Sequence, residues 1–183
     1  FYQVSGAFGY RDQLQDAMNI VLVNPEYTRR QILNNAAHQF EEGDVLHWFH
    51  VNNLNSKTHK GVRSKSSDDL LWFPYAICEY TEKTQDYNIL SVKTNYIKSK
   101  LLEETENEKY IEAVASGINE TIYDHGKRAL IKASTKGRNG LLVFGSGDWN
   151  DGFNGIHNGE TVWGTFFIIM VLERFAKLCR KIG

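Results

Sequence analysis

Only two prolines, Pro25 and Pro74, interrupt 183 residues, and apolar side chains recur at spacings of three and four over several long stretches. A 3.6-residue period writes one apolar face on a helix, and proline, its strongest internal breaker, is nearly absent, so the chain is driven toward helices. The sharpest start signal is Asn24 with Pro25 behind it, an N-cap followed by the residue best suited to the first helical position. The run from Thr28 then places Ile32, Ala36, Gln39 and Phe40 on one face and ends near Gly43. Ahead of it, residues 11–23 carry Leu14, Met18, Val21 and Leu22 at helical spacing. A short turn between the two predicts an αα-hairpin.

The same reading continues downstream. Ser66, with Asp69 three residues on, is placed to cap a helix over residues 68–81 striped by Leu71, Tyr75, Ile77 and Cys78, with Pro74 kinking it or sitting in its first turn. Residues 88–102 read as a shorter helical or irregular segment. Residues 106–136, with Ile111, Val114, Ala115, Ile118, Ile122, Ala129 and Ile131, read as one long helix with a break allowed at Gly126. Residues 160–182 are apolar nearly all round, as in a helix enclosed by others. Strand character is confined to residues 140–145. The long connections 43–67 and 137–159 are of a length that is usually functional inside a compact domain. The expectation is a single all-α domain over residues 1–183, helical hairpins carrying their chemistry on loops.

Charge removes two classes of partner. Lys and Arg total 21 against 22 Asp and Glu, a formal charge of -1, so no net basic field gathers nucleic-acid phosphates or anionic lipid. The most apolar window, residues 165–172, falls well short of the roughly 18 apolar residues a spanning helix needs. Cys78 and Cys179 show no metal-like spacing and read as reduced thiols. The chain opens on Phe1-Tyr2-Gln3 without initiator Met or leader, and the expectation is a piece of a longer protein located in the cytoplasm, alone or as the cytoplasmic part of a membrane-bound enzyme.

Three clusters carry chemistry. Gly145-Ser146-Gly147-Asp148-Trp149-Asn150-Asp151-Gly152 packs two carboxylates, an amide and an indole between glycines that let backbone approach a ligand. A turn of this composition is common, but Trp149 is out of place in one unless it packs inward or offers its face to a ligand. From Asp148 the spacing fails an EF-hand, since Gly152 and Gly159 fall where ligands are needed. Sugar handling fits better, with a ring face to stack on and Asp, Asn and Arg for hydroxyls. The second cluster, Ser5 to Asp16, sets Arg11 and Asp12 at the mouth of a helix, where Asp12 also serves as a dipole-favoured capping acid. The third joins Gly43-Asp44-Val45-Leu46-His47-Trp48-Phe49-His50 to Gly61-Val62-Arg63-Ser64-Lys65-Ser66-Ser67-Asp68-Asp69. His47 and His50 lack a third ligand and read as hydrogen-bonding histidines. Asp68 and Asp69 read as caps, with Arg63 near enough in sequence to pair with one of them.

Three motifs in this order resemble glycoside hydrolase family 94, the inverting β-glucoside phosphorylases: Tyr-Gln-Val-Ser-Gly-Ala-Phe-Gly-Tyr-Arg-Asp-Gln-Leu-Gln-Asp from Tyr2, Gly-Val-Arg-Ser-Lys-Ser-Ser-Asp-Asp-Leu-Leu-Trp from Gly61, and Gly-Ser-Gly-Asp-Trp-Asn-Asp-Gly from Gly145. Gly159-Glu160-Thr161-Val162-Trp163 is similar to the family's continuation. Ser5 stands where many members carry arginine, which is most like the branch acting on β-1,2-glucans.

The resemblance implies roughly half of an (α/α)6 barrel, truncated at both ends. It implies phosphorolysis of a β-linked glucan or glucooligosaccharide to α-glucose 1-phosphate, or the equivalent domain of a glucan synthase. Inverting hydrolysis needs two carboxylates, but phosphate is already an anionic nucleophile, so one acid suffices. By resemblance that acid is Asp151. Trp149 shapes the sugar wall and Asp148 supports it, Arg11 and Asp12 hold the transferred glucosyl unit, and Arg63 and Asp69 line the neighbouring pocket. No metal or cofactor is implied, only inorganic phosphate as co-substrate. The family's phosphate residues come from later in the chain, so the piece alone is expected to be inactive. A non-catalytic helical carbohydrate-binding or assembly module is the alternative, and an open half-barrel would favour self-association or pairing with the rest of its parent.

Overall fold

The computed structural model describes residues 6–50, 58–153, 156 and 159–183. Ser5, the opening of the first motif and His157 lie outside the described residues. The hairpin forms, but its helices are shorter than expected: the first stops before Leu22, which is exposed, and the second stops before Gln39 and Phe40. Helix α1 spans Tyr10–Asn19 and α2 Pro25–Ala36, with the Asn24 side chain accepting from the Tyr27 amide and Pro25 in the first turn. Next come α3 (Asp69–Thr84), α4 (Ile122–Ala133) and α5 (Val162–Ile182). Helix α3 is the hub, packed against the other four. Its Leu71, Phe73, Ala76, Ile77 and Cys78 are wholly buried. Pro74 lies inside this helix, which runs through it, and Asp68 stands at its N-cap with no side-chain capping bond, so Ser66 does not take that role.

The all-α expectation is wrong: helices share the fold with an antiparallel sheet of five strands, ordered β1-β2-β3-β5-β4. The strands are β1 (Ala7–Gly9), β2 (Leu46–His50), β3 (Thr58–Ser64), β4 (Lys93–Lys98) and β5 (Glu108–Thr121). A separate two-stranded ribbon pairs β6 (Leu142–Val143) with β7 (Glu160–Thr161). What was read as half of a helical barrel is a mixed α/β arrangement.

The physical reason is clearest in the segment read as one helix over residues 106–136. Ile111, Val114, Ala115, Ile118 and Ile122 satisfy a helical period, yet Ile111 and Ala113 point inward while Tyr110, Glu112 and Val114 are exposed, which is alternation. Pairing on both flanks, with β3 and β4, decides for the strand. Thr121 then caps α4 by accepting from the Asp124 amide. Gly126 breaks nothing; it lets the rings of Phe175 and the Ile77 side chain close on α4. The connection over 43–67 hides β2 and β3, and residues 88–102 hold a 3-10 turn (Tyr87–Ser91) and β4.

Leu46, Phe49, Ile97 and Ala113 carry the inner sheet face into the helical core. Helix α5 is only half enclosed: Val162, Phe166, Ile169, Met170 and Leu172 are exposed among the described residues. Both cysteines are free thiols. No helix among the described residues is long and apolar enough to cross a membrane.

Candidate active site

The first turn of α1 projects Arg11 into a nest of acidic groups. Its Nη1 donates to Asp68 Oδ1 and Oδ2 at 2.9 and 3.0 Å and to the Asp148 carbonyl at 3.0 Å. Its Nη2 donates to both Asp151 oxygens at 2.6 and 2.7 Å. Nε lies 4.0 Å from Asp69 Oδ1, and the guanidinium sits 5.1 Å from the Trp149 ring centre. One buried cation therefore ties the head of α1, the head of α3 and the glycine-rich loop together.

Each partner is held from elsewhere. Asp68 also accepts from Ser66 Oγ and from Trp72 Nε1, one helical turn along α3. Asp148, buried, accepts from the Asn150 amide, the Asn150 side chain and Thr161 Oγ1, and Thr161 in turn caps α5 by accepting from the Gly164 amide. Asp148 thus pins the loop to a helix N-terminus. The backbone bends at Gly145, whose φ of +65° and proximity to the Lys65 carbonyl leave no room for a Cβ.

Asp151, in contrast, is 71% exposed at the tip of the loop. Trp149 is half-exposed, 5.9 Å from Trp72, whose ring meets Phe167 at 4.7 Å. The indole is anchored on one side and open on the other, so one ring face is free to stack.

Asp69 is tied to His47, Nδ1 to Oδ2 at 2.7 Å. His47 is the extra residue of a β-bulge in β2, where Leu46 and Trp48 face adjacent residues of β3; bulges re-aim single side chains in this way. The attraction of Asp69 outweighs burial and lifts the imidazole to about 9. Burial, reinforced by Asp69, pushes Asp68 up to about 6 against the pull of Arg11. Burial and then Asp69 also raise Asp12 against the pull of Arg11. Burial works against the Arg11 cation, but Asp68, Asp69 and Asp151 hold it above its ordinary range. The second Asp69 oxygen and the Tyr10 hydroxyl lie buried without hydrogen-bond partners among the described residues.

The site therefore brings together Arg11, Asp12, Asp69, Asp148, Trp149 and Asp151. Arg63 is elsewhere. It pairs with neither Asp68 nor Asp69 but forks onto Asp44 at 2.7 and 2.8 Å and onto Glu42 at 2.9 Å, over the Phe40 ring. It lines a separate cavity of about 420 Å³ with Lys65, Leu101, Leu102 and Lys132, whose wall borders the acidic nest at Ser66, Ser67 and Gly145. Asp68, Trp72, Thr161 and His47 are members that the sequence reading passed over as site residues. A Trp four residues after an Asp at a helix start, and a Thr just before an apolar helical run, were legible signals; the bulge that aims His47 was not.

The whole chain, residues 1–183, matches the glycosyl hydrolase 94 superfamily, catalytic domain. It is 39% identical over 184 residues to the cyclic beta-(1,2)-glucan synthase NdvB of Rhizobium meliloti (strain 1021), covering 98% of this chain and 6% of that protein. It is 27% identical over 206 residues to N,N'-diacetylchitobiose phosphorylase of Vibrio proteolyticus, covering 100% of this chain and 23% of the relative. Against solabiose phosphorylase of Paenibacillus borealis the identity is 26% over 178 residues, 95% of this chain and 20% of the relative. The chain thus spans less than a quarter of the length of these relatives. Together with the Arg11-centred nest, the match over its full length establishes that the chain belongs to the catalytic-domain family of the glycosyl hydrolase 94 superfamily.

Proposed function

We propose that the chain supplies the proton-donating and donor-sugar half of a site that moves a glucosyl unit between a β-1,2-linked glucan and inorganic phosphate. The observation that carries this is the meeting of Arg11 and Asp151, 140 positions apart, under an exposed indole. Asp151 is the general acid. Phosphate attacks the anomeric carbon from the far face of the ring, the bond to the bridging oxygen breaks, and that oxygen takes the Asp151 proton. The products are α-glucose 1-phosphate and a chain shorter by one unit.

In the present geometry both Asp151 oxygens accept from Arg11, an arrangement of the ionised acid. Donation requires that Asp151 release Arg11, take up a proton from solvent and turn to the glycosidic oxygen, and its exposed position on a 3-10 turn (Asp151–Phe153) gives it room. Arg11, freed on that side, turns its Nη2 toward sugar hydroxyls while Asp68 keeps the guanidinium in place. Asp12 and Asp69 accept from hydroxyls, and Trp149 stacks on the ring. Positioned proton donation contributes roughly 10²–10⁴-fold in typical enzymes.

The test uses the parent protein incubated with β-1,2-glucooligosaccharide and phosphate, following glucose 1-phosphate. Release is expected from the wild type, and Asp151→Asn is expected to abolish it with the fold intact. No release from folded wild-type protein refutes the reaction; full activity of the variant refutes the acid.

A further inference from the structure

The outer face of the five-stranded sheet carries an aromatic row that the site above does not use. Gly9 of β1 faces Trp48 of β2, Trp48 faces Val62 of β3, and Val62 faces Tyr110 of β5. Directly paired residues share a face, with Cβ atoms about 5 Å apart. The Trp48 and Tyr110 rings lie 5.8 Å apart with planes inclined at 46°, a shallow V. His50 braces both edge-on, 5.5 Å from Trp48 and 6.1 Å from Tyr110. Trp48 is partly exposed and Tyr110 is 53% exposed, so the V opens outward. Lys60 and Glu112, paired in the next row at 3.6 Å, give it a polar border.

The head of the row joins it to the acidic nest. Gly9 has no side chain, and the space its Cβ would take is filled by the Asp12 carboxylate, with Oδ2 1.8 Å from that position. Asp12 therefore stands in the row as the neighbour of Trp48, while its charge is felt by Arg11, Asp69 and His47. From Asp12 to Tyr110 the row crosses three strand spacings, about 14 Å, enough for more than one pyranose ring. Exposed rings in a V with carboxylate and ammonium groups at the margin suit sugars, which present an apolar C–H face and a rim of hydroxyls.

We infer that this sheet face is a second sugar-binding surface, seating the units of a β-linked glucan adjacent to the one held at Arg11 and Asp151, with Asp12 at the boundary. The inference rests on the functional reading above and sharpens it, because it gives the units beyond the transferred one a named surface. A ring lost from such a surface costs roughly tenfold in affinity.

Calorimetric titration of the parent protein, without phosphate, with sophorose and with a longer linear β-1,2-glucan provides the test. The wild type is expected to bind the longer glucan more tightly. Tyr110→Ser is expected to erase that advantage, about tenfold, and Tyr110→Phe to restore it, with circular dichroism confirming folding of each. If the wild type binds both equally, or if Tyr110→Ser keeps the preference, the sheet surface is refuted while the Arg11 and Asp151 site stands. If the wild type binds neither, the functional reading fails and takes this inference with it.

Discussion

Replacing Arg11 by Met tests the nest as a physical object, independently of any reaction. Methionine keeps much of the side-chain volume, so the effect is electrostatic rather than a cavity. The variant leaves Asp68, wholly buried, and Asp69, 2% exposed, without their shared cation. Removing one partner of a buried ion pair costs about 3–5 kcal/mol. Asp68 is already pushed up to about 6 by burial and Asp69 while Arg11 pulls it down; without Arg11 it rises further. A carboxyl whose native pKa exceeds its unfolded value binds its proton more tightly when folded, so its contribution to stability is greatest in acid and is lost as pH rises through the native value. The destabilisation of Arg11→Met relative to wild type is therefore expected to be about 3–5 kcal/mol at pH 8. It should shrink toward about 1–2 kcal/mol near pH 5, where the orphaned carboxyl is neutral, each pKa unit being worth about 1.4 kcal/mol. Urea unfolding followed by circular dichroism at several pH values measures this, since losses common to both proteins cancel in the difference. A destabilisation below about 1 kcal/mol, or one that does not vary with pH, refutes the account of Arg11 as the counter-ion of the buried aspartates.

Gly145→Ala forces a left-handed residue and drives a Cβ to 1.9 Å from the Lys65 carbonyl, whereas Gly140→Ala, at φ +85°, meets nothing within 4 Å. The second is expected to cost about 1–2 kcal/mol from backbone strain alone and the first at least 2 kcal/mol more; equal melting temperatures would show that the approach of the loop to Lys65 is not tight. His38, buried against Phe49 at 3.8 Å and donating from Nδ1 to the Asn34 carbonyl, is pushed down to about 4, chiefly by burial. It holds no proton where the unfolded chain does, so its stabilisation is complete above about pH 6.5 and is lost as pH falls toward 4, up to about 3 kcal/mol. His47, lifted to about 9, has the opposite sign: its stabilisation is present below about pH 6.5 and is lost as pH rises through 9. Stability measured across this range should be highest near neutrality, and His38→Gln should flatten the acid limb; an unchanged acid limb would remove His38 as its source.

The sequence by itself determined the local events and the chemistry. Asn24 and Pro25 start α2, Leu14 buries one face of α1, and the glycines around Asp148 and Asp151 write a loop that must bend. The three motifs carried the family, because they are contiguous patterns that can be read along the chain without knowing the fold. What tertiary structure decided was everything that depends on pairing. Residues 108–121 satisfy a helical period and a strand alternation at once, and only β3 and β4 on either side settle which is formed. Arg63 was close in sequence to Asp68 and Asp69, yet it stands over Phe40 with Asp44 and Glu42, while the cation that serves those aspartates comes from α1, 57 positions away. A bulge aims His47, and strand register builds the row from Gly9 to Tyr110. Hydrogen-bond partners and counter-charges are chosen by three-dimensional distance, which neither periodicity nor spacing along a chain encodes.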